Sequence, residues 1–222
     1  MDTNPQLIVM LTHHDQTVLN AAEIFHQCRR SQANFWGMKE IALPVRQMQE
    51  LCTAMKQCGK TTFLEVVAYT EKECMEGAEI AVKCGFDVLM GTMFFDSVNE
   101  FCKHHHKKYM PFVGKVSERP SVLEGSIEEM LEEAQRYLAK GVYGFDLLGY
   151  RYTGDAAKLN RTFISQVKAP VCIAGSIDSY QKLDELKQAK PWAFTIGGAF
   201  FEHKFGTEFQ SQIDAVCDYM NG

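Results

Sequence analysis

The sequence predicts a single (β/α)8 barrel spanning residues 1–222, on three observations. Short apolar runs rich in β-formers recur at roughly 22- to 33-residue intervals, the length of one strand plus one crossover helix. Each run leads into an amphipathic helical pattern. Eight such units fill the chain with no linker, low-complexity segment or second domain between them. An open doubly wound sheet is the alternative, but eight regular units close a barrel without remainder.

Residues 7–12 form the first apolar run, followed by His13-His14-Asp15 and a helical face of Val18, Ala21, Ala22, Phe25 and Cys28. The second unit runs from residues 35–40 past Pro44, a good first-turn residue, into a helix carrying Met48, Leu51, Cys52 and Met55 and closed by Gly59. Residues 62–67 are the third strand, whose helix opens with the capping box Thr70/Glu73 and closes at Gly85. The fourth strand, residues 86–91, leads into a helix from about Asp96 that ends in a basic run containing His104, His105 and His106. After the fifth strand, residues 109–113, comes the longest connection, residues 115–125. Ser126 and Glu129 then cap the clearest helix, with Ile127, Met130, Leu131, Ala134, Tyr137 and Leu138 on one stripe and Gly141 as its stop. Residues 142–148 are the sixth strand, with a helix from Asp155. The runs Val171-Cys172-Ile173-Ala174 and Ala193-Phe194-Thr195-Ile196 are the seventh and eighth, and a last helix carries Phe209, Ile213, Val216, Cys217 and Met220.

An apolar share of 46% supports a sizeable core, and the net charge of −5 argues against a nucleic-acid partner, which needs a clustered positive surface. No run of eighteen or more apolar residues occurs, and the first residues lack the basic and apolar regions of a signal peptide. A cytoplasmic protein without a membrane partner is expected. The eight cysteines are scattered without a C-x-x-C pair and read as reduced, mostly buried thiols. A homodimer is the expectation for this class of fold.

In such a barrel the chemistry lies at the C-terminal ends of the strands. Gly175-Ser176 and Gly197-Gly198 follow strands seven and eight, where backbone N–H groups and the start of a short extra helix hold a phosphate. Glu65 is set in Phe63-Leu64-Glu65-Val66-Val67, and Asp146 in Gly144-Phe145-Asp146-Leu147-Leu148. Carboxylates among such neighbours need partners, and Lys39 and Lys115, read as the ends of strands two and five, supply them. These four are the candidate catalytic residues, converging at the mouth as coupled groups that shift one another's pKa. His14 is a candidate substrate ligand or proton carrier, and Asp15 either joins it or caps the first helix. Arg151, in the loop after strand six, is an anion clamp or a surface charge. The connection from Lys115 is a lid or simply a long loop. His104-His105-His106, with Cys102 nearby, falls at the opposite face and reads as a solvated helix end, so no metal or other cofactor is expected.

Ile173-Ala174-Gly175-Ser176-Ile177 and Thr195-Ile196-Gly197-Gly198-Ala199-Phe200-Phe201-Glu202 together resemble the ribulose-phosphate-binding barrels, most strongly over the last third of the chain. That superfamily includes the isomerase of histidine biosynthesis, ribulose-phosphate epimerase and N-acylmannosamine-6-phosphate epimerase. The resemblance implies that the two glycine turns grip a substrate phosphate through their N–H groups. Ser176 stands where many members have a second glycine, which a backbone contact tolerates. Strand five leads to Lys115 where the histidine-pathway isomerase has an aspartate. Strands two and three lack the histidines with which ribulose-phosphate epimerase binds metal. N-acylmannosamine-6-phosphate epimerase is similar in a lysine near strand two, matched by Lys39, and a loop after strand six, matched by Gly149-Tyr150.

The expectation is a metal-independent isomerase or epimerase that moves a proton α to the carbonyl of a phosphorylated sugar. Glu65 and Asp146 are its acid/base groups, and Lys39 and Lys115 its electrophiles or proton carriers. A Schiff-base aldolase or lyase on such a sugar is the runner-up, because a desolvated lysine attacks carbonyls. A non-catalytic phosphosugar-binding scaffold is the third reading.

Overall fold

The computed structural model describes residues 4–222. Eight barrel strands alternate with helices: β1 (Gln6–Met10), α1 (Ala21–Cys28), β2 (Phe35–Lys39), α2 (Val45–Gln57), β3 (Thr61–Val66), α3 (Glu71–Cys84), β4 (Val88–Gly91), α4 (Asp96–His104) and β5 (Lys108–Met110). There follow α5 (Ile127–Ala139), β6 (Phe145–Leu147), α6 (Ala156–Gln166), β7 (Val171–Ile173), α7 (Tyr180–Ala189), β8 (Ala193–Ile196), α8 (Gly198–Phe201) and α9 (Phe209–Asn221). The strands pair in parallel in the order β6-β7-β8-β1-β2-β3-β4-β5. The ring closes where the Tyr143 N–H donates to the Tyr109 carbonyl at 3.0 Å and the Asp146 N–H to the Pro111 carbonyl at 3.2 Å.

Local chemistry explains the frame. Both expected capping boxes form: the Thr70 and Ser126 hydroxyls accept from the N–H groups of Glu73 and Glu129, whose carboxylates return the bond. Asp155 caps α6 by accepting from the Lys158 N–H. Gly85 ends α3 at φ 82°, a left-handed residue that glycine takes without strain. Inside the ring, Ile8, Met10, Phe63, Met90, Met110 and Cys172 make the inner core, while most other apolar residues pack between sheet and helices. Each fully buried Leu or Phe contributes about 1.5–3 kcal/mol of transfer free energy. Gly37 on β2 leaves room for that filling, since a Cβ there would stand 2.5 Å from Met10 Sδ and 3.2 Å from Phe63 Cβ.

Two small hairpins above the barrel depart from the expected pattern. Thr12–His13 pairs antiparallel with Gln16–Thr17, and the turn is made by His14 at φ 49° and Asp15 at φ 62°. Positive φ at both central residues is the geometry of a two-residue hairpin turn. Asp15 therefore does not cap α1, whose N-cap is Asn20, and Val18 lies ahead of that helix. The second hairpin pairs Lys115–Ser117 with Val122–Glu124. Strand five stops at Met110, because Pro111 has no N–H to continue the ladder, so Lys115 opens this hairpin instead of ending β5. His104, His105 and His106 lie at the exposed end of α4, leading into β5 at the foot of the barrel. Among the described residues, no helix is long and apolar enough to cross a membrane.

Candidate active site

The C-terminal ends of the strands surround an open cavity of about 700 Å³. Its two sides are built differently. On the β7–β8 side, Gly175 at φ 95° is followed by Ser176 at φ 52°, and Gly197-Gly198 leads into α8. The N–H groups of Gly175, Ser176, Gly197 and Gly198 find no acceptor among the described residues. A Cβ on Gly175 would stand 2.7 Å from Cγ and 3.3 Å from Nε of Arg151, so the glycine is what lets that side chain lie over the turn. The Arg151 guanidinium has no ion-pair or hydrogen-bond partner among the described residues and lines the cavity. Lys182 is tied down nearby, donating to the Ser176 carbonyl and to Asp178.

On the β1–β3 side, charged side chains make the wall. Lys39 and Glu65 are cross-strand partners in the β2–β3 register, with Nζ 3.7 Å from Oε1. The first hairpin is strapped down by Thr17, whose hydroxyl accepts from the Lys39 N–H at 2.9 Å and donates to its carbonyl at 2.8 Å. That strap lowers Asp15 onto the site, where its carboxylate accepts a hydrogen bond from Lys39 Nζ. Burial pulls the Lys39 pKa down, but Glu65 and the hydrogen-bonded Asp15 outweigh it, so the ammonium is held above the ordinary lysine value. Arg119, from the second hairpin, donates to the Val67 carbonyl and lies 3.7 Å from Asp15 and 3.5 Å from Glu40. Burial, with Glu65 repulsion adding to it, raises the Glu40 carboxyl.

Asp146 stands apart from this wall. It is 0% exposed, pairs in register with Cys172 of the inner core, and has no hydrogen-bond partner for either oxygen among the described residues. Burial first, and Glu65 second, push its carboxyl well above the usual range, against an opposing pull from Lys39. It lies among the groups that sense Lys39 and Glu65 without lining the cavity.

Of the residues singled out from sequence, Lys39, Glu65, His14, Arg151, Gly175, Ser176, Gly197 and Gly198 border one cavity. Asp146 sits behind its wall, and Lys115 is exposed on the second hairpin, outside the lining. Sequence reasoning missed Arg119 and His13, both in the lining, and left Asp15 between two roles. The His13-His14-Asp15 run was a usable signal for two of them; nothing in the sequence around Arg119 marks it.

No known protein family and no curated protein matches the sequence. Solved structures do match. A native KDPGal structure is 10% identical with a TM-score of 0.72, the likeness covering 100% of this chain and 97% of that one. N-(5'-phosphoribosyl)anthranilate isomerase from Pyrococcus furiosus is 13% identical at TM-score 0.66, covering 98% of each chain. Tryptophan synthase from M. tuberculosis is 10% identical at TM-score 0.69, covering 99% of this chain and 93% of that one. At these identities the likeness speaks for the fold alone: the chain is a (β/α)8 barrel.

Proposed function

We propose that this barrel is a metal-independent isomerase or epimerase of a phosphorylated sugar. The observation that carries the reading is the two-sided cavity: unpartnered N–H groups and Arg151 on one side, and Lys39 between Asp15 and Glu65 on the other. The turns and Arg151 grip the phosphate, and the sugar carbonyl reaches Lys39. Glu65 takes a proton from the carbon α to that carbonyl, the C–H electrons move into the carbonyl, and the Lys39 ammonium stabilises the enolate oxygen. For isomerisation, Glu65 returns the proton to the former carbonyl carbon while the α-carbon hydroxyl proton passes to the enolate oxygen; for epimerisation, water in the open cavity delivers a proton to the opposite face of the same carbon and Glu65 releases its own to solvent. Asp15 orients Lys39 and keeps it charged. Burial pushes the Asp146 carboxyl well above the usual carboxylate range, which disfavours a second negative charge behind Glu65.

The raised pKa of Lys39 favours this chemistry over a Schiff base, which needs the neutral amine. A thermal-shift screen against phosphorylated aldoses and ketoses finds the ligand by mass action. Proton NMR in D2O then tests the step. Solvent deuterium should enter at the α carbon with the parent chain and fail to enter with Lys39→Met. A substrate adduct trapped on Lys39 by borohydride reduction would replace the reading by an aldolase, and binding without turnover would replace it by a scaffold.

A further inference from the structure

A third wall of the anion pocket comes from the first hairpin. The His13 ring lies between the His14 ring, at 3.8 Å between centroids, and the Phe201 ring, at 5.3 Å and 15°. Its Cδ2 is 3.6 Å from where a Cβ on Gly198 would stand. The Nε2 atom is buried and has no hydrogen-bond partner among the described residues. The nearest carboxylate, Glu202 Oε1, is 3.8 Å from it, beyond hydrogen-bonding range. Glu202 is half-exposed, and its other oxygen lies 3.7 Å from Lys204, so it has an alternative partner when an anion enters. The charged and titratable groups around His13 are His14 and Asp15 on its own hairpin and Glu202 with Lys204 at the end of α8. The His13 side chain is 27% exposed, so an entering anion can reach the ring, and a covered nitrogen without a hydrogen bond is costly unless a ligand meets it. Here it borders the turn whose N–H groups are also unpartnered.

We propose that His13, stacked against His14 and Phe201 with its ring edge beside Gly198, is a further ligand of the bound phosphate, donating a hydrogen bond from Nε2. This deepens the anion pocket invoked above and rests on it.

Inorganic sulfate is the probe, because it is a dianion with the tetrahedral oxygens of a phosphate group. In calorimetric titration at a single pH, His13→Phe, which keeps the ring stack on Phe201, should bind sulfate about tenfold more weakly than the parent, the size of one charge-assisted hydrogen bond. His13→Gln restores a donor and should recover part of the affinity. His14→Phe should bind as the parent does. Arg151→Ala should weaken binding independently of His13. A shift of the His13 imidazole nitrogen resonances in the parent on adding sulfate reads the same contact without any substitution. The inference is overturned if His13→Phe binds with the parent's affinity, or if His14→Phe loses as much affinity as His13→Phe. If the parent binds no sulfate and Arg151→Ala changes nothing, the anion pocket itself falls, and the His13 inference with it.

Discussion

Two lysines are buried at opposite ends of this barrel and are held in opposite ways. Lys39, at the C-terminal end of β2, is 6% exposed, bonded to Asp15 and 3.7 Å from Glu65; these carboxylates outweigh burial and raise its pKa. Lys60, just ahead of β3 at the other end, is 9% exposed and donates to the carbonyls of Ala33 at 2.7 Å and Ser31 at 3.2 Å. Burial dominates there and lowers its pKa. Burial alone therefore distinguishes nothing. Lys39 is kept cationic beside an open cavity, whereas Lys60 bridges two backbone carbonyls, of which that of Ala33 also accepts from the Trp36 indole N–H.

The largest effect expected from this difference is on Lys39. Replacing it by Met should lower kcat about a thousandfold or more on the substrate found by the screen, because the enolate loses its preorganised cation. Arg151→Ala, on the phosphate side, should raise KM about 10- to 100-fold and leave kcat within a few-fold, the signature of lost uniform binding. Steady-state kinetics of the two variants separates the sides of the cavity. If both changed kcat alone, the division between gripping and reacting residues would be wrong.

Lys60→Met sharpens the comparison from the other end. It should leave kcat and KM unchanged and cost about 1–3 kcal/mol of stability, chiefly through the Ser31 carbonyl left without its donor. For a chain of this size, each kcal/mol lowers Tm by about 2–4 °C. Thermal unfolding beside steady-state kinetics checks it. A loss of turnover comparable to that of Lys39→Met would break the contrast.

The barrel was legible because its signals are local. Thr70/Glu73, Ser126/Glu129 and Gly85 are helix ends written within a few residues, and Gly175 and Gly197 mark turns by the Cβ they lack. The acidic wall was only half legible. Glu65 stood out in an apolar strand, and Lys39 followed from register, but Asp15 reaches Lys39 through a hairpin whose strands are two residues each, too short to show a period. His14 and Asp15 adopt positive φ without a glycine to announce it. Lys115 was displaced because Pro111 ends β5 early, and Arg119 meets Asp15 across more than a hundred residues of chain, where no local pattern operates.

Asp146 gives the smallest expected effect and the finest test of the same contrast, because it is a buried acid without the counter-ion that Lys39 enjoys. Burial and Glu65 place its folded-state pKa well above the unfolded value of about 3.9. The folded chain then keeps a proton that the unfolded chain has released, so this group's contribution to stability falls as pH rises from that unfolded value toward the folded one. Asp146→Asn has no proton to lose, while its amide is as poorly partnered as the protonated acid. The Tm of Asp146→Asn minus that of the parent should therefore become more positive, by a few degrees, between about pH 5 and pH 8. Taking the difference between the two chains cancels the other titrating groups. A difference flat across that range would mean that the Asp146 carboxyl ionises early with Lys39 as its counter-ion, which would give Lys39 three carboxylate partners and move Asp146 from behind the wall into it.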